Sequence, residues 1–328
     1  MLLMATAFGV LLLAVVVKFG LPVKTPEWYS TARSSRRNNS LEGLPNAIAR
    51  SSVFFLETAE SPPCISARQS CAIESAALRS YNAKIVLLTS SSISADCEYI
   101  KILSKFPNFK LMCVPFENLF DGTVLNQWFQ NGSWSRSPFR ANHLSDALRL
   151  LLLWKFGGVY VDMDVLVLKN IAALRNSVSR ERFPAVGNSV LVFNKGHPFL
   201  LDCMREFASS YKSRLWAHNG PRLLERVLLK YCPPELLRNQ PHLKCSGDVT
   251  VLSAEAFYPI PLAEWKTLFQ PESTFKVLKA TEDSYTVHLW NSYSKKKRLS
   301  IGDASAYDVM ARFVCPLSYQ VAKTQGFL

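Results

Sequence analysis

The sequence predicts an α/β fold with a mostly parallel sheet flanked by helices. Two observations carry this. Short apolar runs rich in β-branched and aromatic residues recur along the chain, and helical patterns separate them, which is the order of a sheet wound through crossover helices. In addition, 48% of the 328 residues are hydrophobic and no repeat or low-complexity tract breaks them up. That is enough apolar material for one packed, enzyme-sized body.

The elements follow in order. Val53 to Leu56 (VFFL) reads as a short buried strand, and Ala67 to Tyr81 as a helix. Lys84 to Thr89 (KIVLLT) is a second strand, Ser94 to Phe106 a helix and Phe109 to Val114 a third strand. The clearest helix is Ala141 to Phe156, where Leu144, Ala147, Leu148, Leu151 and Leu152 make a broad apolar face and Gly157-Gly158 stops it. Val159-Tyr160-Val161 starts a strand that runs into two aspartates, and Val165 to Leu168 continues as an apolar run. Ser189 to Phe193 reads as a strand; Pro198 to Tyr211 and Pro221 to Tyr231 read as helices, the latter with Pro221 in its first turn. Short strands near Val249 to Leu252 and Thr286 to Trp290, and a helix over about Ala304 to Phe313, complete the pattern.

Met1 to Val17 is apolar apart from Thr6, and the apolar character extends to Phe19 and Leu21. At about 1.5 Å per residue this just spans a bilayer, which predicts a signal-anchor transmembrane helix over 1–21. Lys18 and Lys24 follow the run instead of preceding it, against the positive-inside tendency, and Ala5 and Ala14 keep a cleaved signal peptide as the competing reading. Residues 22–50 lack apolar periodicity and carry Pro22, Pro26, Arg33, Arg36 and Arg37 among many Ser and Asn residues, as a flexible stem does. Two N-glycosylation acceptor patterns, at Asn38 and Asn131, favour a lumenal domain. So do eight cysteines without paired zinc-site spacings, which read as a disulfide framework with room for some buried thiols. Cys232 with Cys245 is the pairing favoured by sequence, because the two bracket a short Pro-rich loop.

The net charge of +13 suits an anionic ligand, a membrane surface or nucleic acid. The charge is spread along the chain without a nucleic-acid-binding motif, so nucleic acid is set aside.

Asp162 and Asp164 sit two apart at a predicted strand end, where side chains at i and i+2 share a face. Two hard oxygen ligands beside a diphosphate suit Mn²⁺ or Mg²⁺, and ligands in open α/β sheets bind beyond the carboxyl ends of strands. The plain alternative is a pair of solvated loop aspartates. Asp146 and Arg149 lie three apart on one face of a very apolar helix. Either they are a local ion pair, or Asp146 is placed to accept sugar hydroxyls and Arg149 to meet phosphate or sugar oxygens. The run Lys295-Lys296-Lys297-Arg298 has two readings, a cationic aid to a diphosphate and a solvated or membrane-facing loop.

Leu144-Ser145-Asp146-Ala147-Leu148-Arg149 and Trp154-Lys155-Phe156-Gly157-Gly158-Val159-Tyr160-Val161-Asp162-Met163-Asp164 resemble the donor-binding core of the α-1,4-glycosyltransferases related to lactosylceramide 4-α-galactosyltransferase. Phe54-Phe55-Leu56-Glu57-Thr58, Glu74-Ser75-Ala76-Ala77, Trp216-Ala217-His218-Asn219-Gly220-Pro221, Ala256-Phe257-Tyr258-Pro259-Ile260 and Val287-His288-Leu289-Trp290-Asn291 extend the likeness from Val53 to the C-terminus. The resemblance implies a GT-A fold of Rossmann-like type and a UDP-sugar donor, galactose or N-acetylgalactosamine. It also implies Mn²⁺ with Mg²⁺ as the substitute, retention of anomeric configuration, a glycolipid acceptor, and a single-pass type II protein of the Golgi membrane. A catalytic domain over 51–328 is implied, donor-binding over about 51–200 and acceptor-binding over about 201–328, with a homo-oligomer as an option. Carried over by residue, Asp162 and Asp164 hold metal and UDP, Asp146 and Arg149 grip the donor sugar, and His288 and Trp290 close the site near the pyrophosphate. His288 also reads as a satisfied core histidine. Asn219 departs from the family pattern, where glutamine stands, and together with Asp146 it is a candidate to support the oxocarbenium-like state. Rival readings are an α-1,4-N-acetylglucosaminyltransferase or other α-hexosyltransferase, and a non-catalytic lumenal sugar-binding protein.

Overall fold

Every residue of the first apolar run is buried, and it forms β1 (Ser52–Glu57), an interior strand of the sheet. The structure, a computed structural model, describes residues 52–59, 63–297 and 300–326. The predicted signal anchor over 1–21, the stem over 22–50 with Asn38, and Arg298 lie outside the described residues. Among the described residues no helix is long and apolar enough to cross a membrane.

A capping box at Ser66 starts α1 (Ala67–Arg79): Ser66 Oγ accepts from Gln69 N, and Gln69 Oε1 accepts from Ser66 N. β2 (Lys84–Thr89) lies parallel to β1, and α2 (Glu98–Leu103) leads to β3 (Phe109–Cys113), parallel to β2. The long helix α3 (Arg140–Phe156) ends where the sequence predicts and feeds β4 (Gly158–Val161), parallel to β1. Gly158 has φ +108°, and a Cβ there would lie 2.4 Å from the Ser52 carbonyl oxygen. The Gly-Gly break therefore does more than stop a helix. It lets β4 enter the sheet against β1.

After the two aspartates, β5 (Val165–Val167) leaves the main sheet. β6 (Ser177–Ser179) and β7 (Val190–Phe193) return to it, β7 antiparallel to β4 and β6 antiparallel to β7. Next come the helices α4 (Pro198–Ser210) and α5 (Pro221–Leu228). The edge is completed by β8 (Leu243–Lys244) antiparallel to β9 (Thr250–Leu252), which is parallel to β6. The result is a mixed α/β sheet of order β3-β2-β1-β4-β7-β6-β9-β8. Four of its seven neighbour pairs are parallel (β3/β2, β2/β1, β1/β4, β6/β9), so the sheet is mostly parallel as the sequence predicts. β10 (Thr286–His288) pairs antiparallel with β5 in a separate two-stranded ribbon, which carries the C-terminal part of the chain to the end of β4.

Two final helices, α6 (Ala306–Val314) and α7 (Pro316–Gln325), pack on α1. The fully buried Glu74 of α1 accepts from Leu317 N (2.8 Å), Ser318 N (2.7 Å) and Ser318 Oγ (2.6 Å), so its carboxylate caps the first turn of α7. Burial pushes the Glu74 carboxyl up to about 7 despite these donors. The Cys71–Cys315 disulfide crosses the same junction. Cys232 does pair with Cys245, and Cys64 pairs with Cys97. Cys203 is a buried thiol and Cys113 a half-buried one.

Replacing Gly158 with alanine should lower stability by about 2 kcal/mol or more, because the added carbon meets backbone that cannot move aside. Thermal melting monitored by circular dichroism checks this, and an unchanged midpoint would count against the close-approach explanation.

Candidate functional site

A cleft of about 310 Å³ opens beyond the end of β4. Its lining includes Asp146, Arg149, Asp162, Asp164, His288 and Trp290, so six of the residues singled out from the sequence come together, drawn from both sides of residue 200. Strand geometry is not what places the aspartates. β4 ends at Val161, and Asp162-Met163-Asp164 is the tight connection to β5, closed by Val165 N donating to Asp162 O at 3.2 Å.

Each aspartate is held from a different direction. Tyr160 Oη donates to Asp162 Oδ1 at 2.5 Å, and Arg149 Nη2 lies 3.3 Å from the same oxygen. Asp164 Oδ2 accepts from Asn291 N at 2.8 Å, while Asp164 Oδ1 lies 3.4 Å from His288 Nε2. Carboxylate oxygens of Asp162 and Asp164 and a ring nitrogen of His288 all lie within 4.8 Å of one another. Two carboxylates and an imidazole are a donor set that fits a divalent cation such as Mn²⁺. Burial favours the neutral form of both carboxyls. At Asp162 it prevails, and the neighbouring Asp164 charge adds to it against Arg149, so that carboxyl is raised. At Asp164 the His288 ring and backbone donors outweigh burial and hold the carboxyl below its ordinary value. Burial would lower His288, but Asp164 prevails and raises it. His288 Nδ1 is buried without a hydrogen-bond partner.

Arg149 is nearly enclosed, and protein acceptors surround it. Nε donates to Ser145 O (3.2 Å), Nη1 to Asn188 O (2.6 Å) and Nη2 to Ser145 Oγ (3.0 Å); Asp146 Oδ1 lies 3.3 Å from Nη2, and the Tyr160 ring stacks under the guanidinium at 4.4 Å. Burial alone would lower its pKa; Asp162, Tyr160 and Asp146 prevail and raise it. Arg149 therefore orients the two carboxylates and leaves little of itself to grip a sugar. Asp146 also accepts from Asn188 Nδ2 at 2.8 Å, and burial pushes its carboxyl up to about 6.

Trp290 takes a left-handed conformation (φ 55°), donates from Nε1 to Ile260 O at 2.9 Å, and meets the His288 ring edge to face at 4.3 Å. Asn219 is not among the cleft-lining residues. Its amide accepts from Lys212 N (3.0 Å), donates to Lys212 O (2.9 Å) and lies 3.1 Å from His143 Nε2, closing the 212–219 loop. Asn131 is exposed at the end of the short helix Asn126–Gln130.

Comparison with known proteins fits this geometry. A family model described as a glycosyltransferase sugar-binding region containing a DXD motif matches residues 66–184, and one described as an alpha 1,4-glycosyltransferase conserved region matches 192–322. Lactosylceramide 4-alpha-galactosyltransferase of Mus musculus is 34% identical over 85% of this chain and 78% of its own length. The chain belongs to the α-1,4-glycosyltransferase family. The Homo sapiens lactosylceramide 4-alpha-galactosyltransferase is 33% identical over 83% of this chain and 77% of its own length. Alpha-1,4-N-acetylglucosaminyltransferase of Homo sapiens is 30% identical over 86% of this chain and 84% of its own length.

Around this cleft, several residues with a structural part are not evident from the sequence. Tyr160 reads as strand core, yet its hydroxyl orients Asp162. Tyr258 accepts from Ser189 N and Oγ at 3.0 and 2.6 Å, tying the motif around 256–260 to the loop before β7. Gly220 backs onto the Asp146–Asn188 pair: a Cβ would lie 2.5 Å from Asn188 Nδ2 and 2.9 Å from Asp146 Oδ1. A glycine before Pro221 reads as a helix start, and only the folded chain shows why no side chain fits.

Gly220→Ala should cut kcat/KM by about 100-fold by displacing Asp146, and it should also lower the melting temperature because a buried partner of Arg149 is disturbed; steady-state kinetics and thermal melting check both. Because burial favours neutral Asp146, its charged form builds up only as pH rises through about 6. Transfer should therefore fall on acidification through that pH, well above the ordinary carboxylate range, which a pH–rate profile will show.

Proposed function

We propose that this chain is a retaining UDP-sugar-dependent transferase that moves galactose or N-acetylgalactosamine in α1,4 linkage onto a glycolipid acceptor of the lactosylceramide type. The observation that carries the reading is the Asp162–Asp164–His288 cluster, seated beside Asp146 in a cleft of the α-1,4-glycosyltransferase family. The fold is of GT-A type, and three disulfides fit the oxidising lumen of the Golgi, with the chain anchored there as a type II protein.

Asp162, Asp164 and His288 would hold Mn²⁺, or Mg²⁺ in its place, which supplies positive charge to the leaving diphosphate. Tyr160 and Arg149 keep Asp162 turned toward that position; Asn291 N does the same for Asp164. Asp146, oriented by Asn188, accepts hydroxyls of the donor sugar and favours positive charge developing at its ring. The bond from sugar C1 to the diphosphate oxygen breaks, and the acceptor O4 bonds to C1 on the face the diphosphate leaves. The acceptor proton passes to the departing phosphate oxygen, so no protein nucleophile is needed. Trp290 and Tyr258 wall the site from the C-terminal side.

Transfer of N-acetylglucosamine is the second reading, favoured by the likeness to the human alpha-1,4-N-acetylglucosaminyltransferase. A donor panel with glycolipid acceptors separates the two, and UDP binding without turnover would support a non-catalytic sugar-binding protein. Asp164→Asn should weaken Mn²⁺ binding, read by titration calorimetry, and lower transfer by about 1000-fold or more. Activity persisting at ordinary Mn²⁺ would remove the metal assignment, and a β linkage in the product by NMR would refute retention.

A further inference from the structure

We propose that the rim of the cleft is a lipid-docking surface that seats the catalytic domain on the lumenal leaflet, its cations facing acidic headgroups that accompany the glycolipid acceptor. The inference rests on the glycolipid-acceptor reading above and adds the surface that brings enzyme and acceptor together.

Two separate segments form this part of the rim. In one, Lys212, Arg214, Leu215 and Trp216 are exposed, Leu215 at 53% and Trp216 at 46%. In the other, Tyr293 is exposed at 54%, followed by exposed Lys295, Lys296 and Lys297. Trp216 and Tyr293 line the same cleft, so both segments border one opening. Neither the 212–219 stretch nor the 291–297 stretch contains an acidic residue. Each sets an aromatic ring, and in the first segment also a leucine, for the headgroup boundary beside cations for acidic lipid headgroups.

Both segments are fixed from behind. Asn219 clamps the first through its paired bonds to Lys212, and Ser137 Oγ donates to Ser213 O at 2.6 Å. Buried Arg68 holds the second, donating from Nη1 to Ser294 O and Ser294 Oγ at 3.1 Å each and from Nη2 to Lys297 O. Backbone held this firmly leaves only side-chain freedom to be lost on contact with a surface. A glycolipid presents its sugar at the bilayer surface, so a cleft that takes such a sugar must bring its rim to the headgroups. This rim carries the composition that such contact requires.

The test compares two acceptors with the full chain: a galactose-ended glycosylceramide in phosphatidylcholine–phosphatidylserine vesicles, and the matching free oligosaccharide. Lys212→Glu with Arg214→Glu, Lys295→Glu with Lys296→Glu and Lys297→Glu, and Leu215→Asp should each lower transfer to the vesicle acceptor about tenfold, leaving the free acceptor within about twofold. Raising ionic strength from about 0.05 to about 0.5 M should act on the unaltered chain in the same selective way. Equal responses on both acceptors, or no response, would overturn the proposal, as would a loss seen only when other proteins are added, which would put a protein on this face. If a variant loses both activities, the salt response of the unaltered chain decides. An unaltered chain that transfers to neither acceptor refutes the glycolipid reading instead.

Discussion

The enclosed guanidinium of Arg149 is the constraint around which one wall of the cleft is arranged. A charge this deep is tolerable only when it is paired and its donors are satisfied, and removing a partner from such a group costs about 3–5 kcal/mol. Its partners come from three places: Ser145 and Asp146 on α3, Tyr160 and Asp162 at the end of β4, and the Asn188 carbonyl before β7. The crossover helix, the strand it feeds and the returning antiparallel strand are thus locked by one side chain. Two carboxylates with a tendency to repel are held within one cleft because the same cation faces both.

The other half of the site depends on a second lock. Asp164 is held by His288 and by the backbone at Asn291, in the ribbon and turn that return from the C-terminal part of the chain. The turn is kept in place by Arg68, which sits in α1 and also faces the Phe269 and Tyr307 rings. The first aspartate belongs to the sheet and the second to this later-arriving segment, so the pair is complete only when both parts of the chain are folded together.

Much of this was legible in the sequence, for particular reasons. The runs that became β1, β2, β3 and β4 and the helix α3 stood out because their apolar residues are contiguous and Gly157-Gly158 marks the turn. β6 and β8, with three and two residues, are too short for any period to show, and α7 buries small residues such as Ser318 and Ala322 instead of an apolar stripe. Strand direction was hidden too, since nothing in Val190–Phe193 announces that it runs against β4. At the site, the spacing of Asp162 and Asp164 predicted their meeting, although a turn and not a pleat produces it. The part played by Gly220 was invisible, because it depends on what stands opposite in space. So was the grip of Asn219 on Lys212, which turns a residue with plausible chemistry into a loop fastener.

The disulfide that joins α1 to the start of α7 links residues 244 positions apart. At about 5–20 residues per second of synthesis, Cys71 waits roughly 12–50 s for Cys315 to be made. During that interval Cys64 and Cys97, whose native bond closes far sooner, are both within reach of it. A nascent chain therefore passes through a period in which the wrong partner is nearby and the right one does not yet exist. Its yield of correctly joined protein should depend on the thiol-exchange enzymes around it as well as on its own sequence.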